Sequence, residues 1–106
     1  MIPLLPGHEA TFFCNETDVA LLPHSEATLS QYSYQAYMVF HAVKKEIPQV
    51  ENIRIQGVVV SEGGTFTALL IRAVAGAVEG FLPSESASRI LREAGFPTAV
   101  PPDPSS

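Results

Sequence analysis

Apolar residues in this chain follow two different periods, and each period predicts a different kind of element. From Leu29 onward, Tyr32, Ala36, Val39, Phe40, Val43 and Ile47 recur every three or four positions. That spacing puts them on one stripe of an amphipathic helix. Thr28 and Gln31 have the spacing of a capping box, Lys44 and Lys45 suit the negative end of the helix dipole, and Pro48 stops the element. The prediction is a helix over 28–46.

Residues 52–61 follow the second period. Ile53 and Ile55 alternate with Arg54 and Gln56, and three consecutive valines follow. This describes a strand with one wet face in its first half and two covered faces in its second, placed near the middle of a sheet. Earlier in the chain, Thr11 to Cys14 and Val19 to Leu22 are short apolar runs separated by Asn15, Glu16, Thr17 and Asp18, which predicts a hairpin. Near the end, Pro83 and the serines at 84 and 86 mark a helix start. Ala87, Ile90, Leu91 and Ala94 form its stripe, and Gly95 with Pro97 ends it.

The segment TFTALLIRAVAGAVEGFL admits both periods. Read as a helix over 65–81, it places Leu70, Ala73, Val74, Ala77, Val78 and Phe81 on one face and Arg72 with Glu79 on another. Read as a strand over 65–75, it closes a hairpin with 52–61 through Glu62, Gly63, Gly64 and Thr65. The abundance of alanine favours the helix. The expected fold class is therefore α/β or α+β, with a small single-layer sheet packed by one long helix and one or two further helices, the hairpin being the alternative. The expected organisation is an irregular lead over 1–8, one domain over 9–96 and a proline-rich, weakly held tail over 97–106.

Composition adds a functional expectation. Of 106 residues, 46% are hydrophobic and 16% charged, against roughly 25% charged in an average domain. A chain this short cannot hide all its apolar material. Contact with another protein, as a homodimer or by docking on a larger partner, is the leading expectation. The net charge of −5, with six bases that do not gather, argues against nucleic acid and against anionic membranes. One cysteine allows no internal disulfide, and the opening residues MIPLLPGHEA carry no positive region and no apolar run long enough for a leader or a span. A cytoplasmic protein is expected.

Candidate chemistry is sparse. If Gly63 and Gly64 led into a helix, the amides of Gly63, Gly64 and Thr65 would favour an anion or small-molecule ligand. Against this, the loop has the spacing of neither common phosphate motif and Glu62 would repel an anion. His8, His24, His41 and Cys14 lack the tight spacing of structural metal sites, and Cys14, following Phe12 and Phe13, reads as a buried hydrophobe. No acid and base pair stands out, so catalysis is not the favoured reading and no cofactor is expected. Tyr34, Tyr37 and His41 form a ridge beside the main stripe of the long helix. Together with Phe66 and Phe81 they are the expected interface residues.

Overall fold

The structure is a computed structural model that describes residues 9–22, 26–60 and 66–98. Its elements follow the order β1 (Glu9–Asn15), β2 (Val19–Leu22), α1 (Glu26–Glu46), β3 (Asn52–Val59), β4 (Phe66–Ala75), β5 (Val78–Phe81) and α2 (Ser84–Glu93). The strands form one antiparallel sheet in the order β2-β1-β3-β4-β5. Among the described residues this is an α+β arrangement of one five-stranded sheet and two helices.

The β1–β2 hairpin forms as the sequence predicts. Asn15 Oδ1 accepts hydrogen bonds from the Thr17 and Asp18 amides at 2.9 and 2.8 Å, so the side chain shapes the turn. α1 also forms, but it begins at Glu26, which leaves Thr28 inside the helix instead of at its cap. Glu26 and Ala27 are themselves good helix residues, and an acid suits the first turn, so propagation runs past the expected start. The stripe of Tyr32, Ala36, Val39, Phe40 and Val43 is buried against the sheet.

The expected helix over 65–81 is not present: β4 and β5 occupy that stretch as a hairpin. β4 is paired with β3 on one side and β5 on the other, and this pairing outweighs the helical preference of the alanines. Two local features explain the helical appearance. A bulge at Leu69 makes Gln56 pair with Leu70 and Gly57 with Ala68, so the buried positions run 66, 68, 71, 73 and the period of two is broken. Residues 72 and 79, two helical turns apart, also meet across the hairpin, where Arg72 donates to Glu79 at 3.2 Å. The connecting turn has Gly76 at φ +61° in the first of its two central positions, a geometry that favours glycine and matches a type II′ hairpin.

α2 follows the sequence expectation except at its start. Pro83 is the cap residue, with no side-chain hydrogen bond from a serine. The helix closes with Phe96 donating to the Leu91 carbonyl and Gly95 to that of Arg92, a Schellman ending that turns Phe96 inward. The chain then runs beside β4: Ala68 donates to the Pro97 carbonyl at 2.8 Å, and Thr98 bridges Ala68 in parallel. The start of the expected tail is thus held by the sheet.

Both helices lie on one face of the sheet, and the core fills the space between. At its centre the rings of Phe12, Tyr32, Phe66 and Phe96 meet, mostly edge to face, with centroids 5.0 to 6.2 Å apart. The Phe66 amide donates to the Tyr32 hydroxyl, which ties α1 to the start of β4.

Candidate functional site

The alternation of side chains across strands determines what the second sheet face carries. Phe12, Cys14, Ile53, Ile55, Ile71 and Ala73 point to the helices and are buried. Their neighbours in sequence must point the other way. Register then aligns Phe13 with Arg54, Arg54 with Arg72, and Arg72 with Phe81, giving one row across four strands. Val58, Leu70 and Val74 stand beside this row, each partly exposed. No described element covers this face.

The row is held by one carboxylate. Glu79 Oε1 lies 3.2 Å from Arg72 Nη1 and 3.7 Å from Arg54 Nη1, so a single acid spans both guanidinium groups. The Arg72 guanidinium also sits 4.4 Å above the ring of Phe81, whose own surface is 60% exposed. These pairs are solvent-accessible and contribute little to stability. Their effect is to fix two planar cations between two phenyl rings, on a surface where aromatic and arginine side chains suit binding of another protein.

A second surface lies on the helix layer. Tyr34, Tyr37, Met38 and His41 of α1, with Ile90 and Glu93 of α2, line a cleft of about 540 Å³. Tyr34 is 72% exposed, whereas Tyr37 packs partly against the core and donates through its hydroxyl to the Thr17 carbonyl at 3.0 Å. His41 is exposed and rests edge-on to Phe40.

The structure therefore separates the residues that the sequence grouped as an interface. Tyr34, Tyr37 and His41 share the helix layer, and Phe81 lies on the opposite side of the sheet. Phe66 is fully buried in the aromatic cluster and reaches neither surface. Its position in strand β4 rather than a helix explains this, since strand parity turns it to the core. Sequence reading missed Phe13, Arg54, Arg72 and Glu79 as a group. The available signal was parity: Phe13 must oppose Phe12, and Arg54 sits between two buried isoleucines.

Gly63, Gly64 and Thr65 lie outside the described residues. The elements on either side of them are antiparallel strands, so the helix amino terminus that an anion site would need there does not follow. His8 and His24 also lie outside. Among the described residues, no three His, Cys, Asp or Glu side chains gather to hold a metal, and no helix is long and apolar enough to cross a membrane.

Cys14 has no exposed surface, and its thiol approaches the Ala36 carbonyl of α1 at 3.5 Å. Burial pushes its pKa from 9.0 up to about 12. Below pH 9 the thiol is protonated in folded and unfolded chains alike, and its stabilising contribution is intact. Between about 9 and 12 only the unfolded chain ionises, so stability falls by up to roughly 1.4 kcal/mol per pH unit. Urea midpoints measured from pH 8 upward should fall more steeply for wild type than for Cys14→Ala; parallel curves would contradict the burial account.

Comparison with known proteins assigns no family: no family model matches the chain, and neither does any curated protein.

Proposed function

We propose that this protein is a small protein–protein interaction module, acting by self-association or by docking on a larger protein, with the open face of its sheet as the contact surface. The observation that supports this reading is the one-sided sheet: two helices cover one face, while the other presents Phe13, Val58, Leu70, Val74 and Phe81 around the Arg54, Arg72 and Glu79 cluster. A sheet with a solvated second face normally alternates apolar with polar residues. Here several of the outward positions are apolar or aromatic, which fits burial against a partner.

Five strands at about 4.8 Å spacing and about 3.3 Å per residue give this face an extent of roughly 20 Å each way. A plane of that size covers about 400 Å², half of the roughly 800 Å² that one partner contributes to a standard interface, so this face alone suits a small, transient contact. The Tyr34 and His41 cleft is a second surface on the same molecule. It suits a docked side chain or helix, whereas the sheet face suits a flat contact.

The test is a double replacement, Phe13→Ser with Phe81→Ser, compared with wild type by sedimentation velocity. Both side chains are on the open face, so the variant should keep its fold and its circular dichroism. Its self-association constant should drop at least tenfold. Equal association by variant and wild type would remove the open face from the proposal.

A further inference from the structure

We infer that the open face takes an acidic segment: an extended stretch of another protein whose carboxylate lies between Arg54 and Arg72, with an apolar residue two positions to either side. This rests on the docking form of the function proposed above and adds the partner's chemistry and spacing.

Charge is unbalanced at the centre of this face. Arg54 and Arg72 are direct cross-strand partners, so two like charges stand opposite each other. Glu79 offers one carboxylate to both. Its Oε1 accepts from Arg72 Nη1 at 3.2 Å, while Arg54 Nη1, at 3.7 Å, is beyond hydrogen-bond reach. Among the described residues the Arg54 guanidinium thus has an ion-pair neighbour but no acceptor. The acids next in line along the strands do not change this. Glu9 stands opposite Val58, about 13 Å along β3 from Arg54, and Glu51 accepts from the Gly76 amide at the turn between β4 and β5. A chain of net charge −5 therefore carries a local positive excess here. That excess attracts a carboxylate and disfavours a basic partner.

The flanking rings set the spacing. Register places Phe13, Arg54, Arg72 and Phe81 in one row. With strands about 4.8 Å apart, each ring-bearing residue is about 7 Å from the point midway between the two arginines. In an extended chain, side chains on one side recur about every 6.7 Å. A segment laid along the row therefore puts an aspartate or glutamate over the arginines. Two residues before and after it, apolar side chains come to lie over Phe13 and Phe81. The Phe81 ring is 60% exposed and holds the Arg72 guanidinium 4.4 Å away, so the cation is in place before the segment arrives.

Area favours a segment over a folded surface. The face covers about 400 Å², half of one partner's share in a standard interface, and five extended residues of about 17 Å fit within it. A second copy laid face to face offers apolar side chains, but its own row repeats the two arginines and one glutamate. It brings no acid to spare, so an acidic segment is the better match. The segment crosses the strands and makes no main-chain ladder with them. Binding is accordingly weak and rests on three side chains.

The experiment follows amide chemical shifts of the isotopically labelled, intact chain during titration with three seven-residue peptides, each to millimolar concentration. The first has serine at odd positions and leucine, glutamate and leucine at the even ones. The second carries glutamine for the glutamate, and the third has both leucines directly beside the glutamate. The first should shift Phe13, Arg54, Arg72 and Phe81 and bind about fivefold more tightly than either of the others. Arg54→Gln, at an exposed side chain, should remove most of the preference for glutamate over glutamine, and Glu79→Gln should increase it. Equal binding of the glutamate and glutamine peptides at these residues would overturn the acidic chemistry and leave the open face as an apolar contact. Equal binding of the first and third would overturn the spacing. No shift on the open face, while wild type self-associates and Phe13→Ser with Phe81→Ser does not, would overturn the acidic segment and leave a second copy as the partner. No shift there and no self-association would overturn both.

Discussion

Replacing Gly57 by alanine is expected to destabilise the fold by more than about 3 kcal/mol, beyond the usual range for overpacking. Gly57 lies on the core face of β3, where the ring of Phe66 packs directly over the backbone. A Cβ there would lie 2.1 Å from the Thr67 carbonyl oxygen and 2.5 Å from the Phe66 ring. Neither neighbour yields easily. The first is backbone of the paired strand, and the second is locked among Phe12, Tyr32 and Phe96. Relief requires β3 and β4 to separate or Phe66 to leave the core, and either change disrupts the central strand pair. Urea denaturation followed by circular dichroism checks this. A loss under about 1 kcal/mol would mean that Phe66 does not occupy the space above Gly57.

Phe12→Ala should cost about 3 to 5 kcal/mol, the range for removing a buried phenyl ring. Phe12 is fully buried and lies 5.0 Å from Phe66, 5.7 Å from Tyr32 and 5.8 Å from Phe96, centroid to centroid. It therefore joins β1, α1, β4 and the segment after α2, and no neighbour can close the gap without disturbing another. Phe13→Ala, one residue along, removes a ring from the open face and should cost no more than about 1 kcal/mol, within the ordinary range for partly exposed positions. Thermal unfolding of the two variants reads the contrast. Similar losses for both would contradict the assignment of the two faces.

That contrast also shows what the sequence reveals and what it conceals. α1, α2, the first hairpin and the first half of β3 are legible because each keeps one period or is bounded by turn residues such as Asn15 and Pro48. The valines at 58–60 predict two covered faces, yet alternation continues: Val58 is half-buried on the open face, and Val60 is exposed beyond the strand end at Val59. β4 and β5 are not legible, for reasons specific to their residues. The bulge at Leu69 interrupts the alternation, the alanines from 73 to 77 carry helix preference, and Arg72 with Glu79 fits either geometry. Only pairing with β3 decides between them, and pairing joins residues distant in the sequence. The same limit applies to the surfaces. Tyr34, Tyr37 and His41 come from one helix and can be seen as a ridge from spacing alone. Phe13, Arg54, Arg72 and Phe81 come from four strands, and they become one row only once the order β1-β3-β4-β5 is known.

The proposal advanced above is that the sheet face left uncovered by the described elements is a contact surface for another polypeptide. The most direct test is the molar mass of the wild-type protein by light scattering across a wide concentration range. Self-association through the open face requires a mass that rises from the monomer value of 11.4 kDa toward twice that figure as concentration increases. A mass fixed at the monomer value at every concentration would contradict self-association.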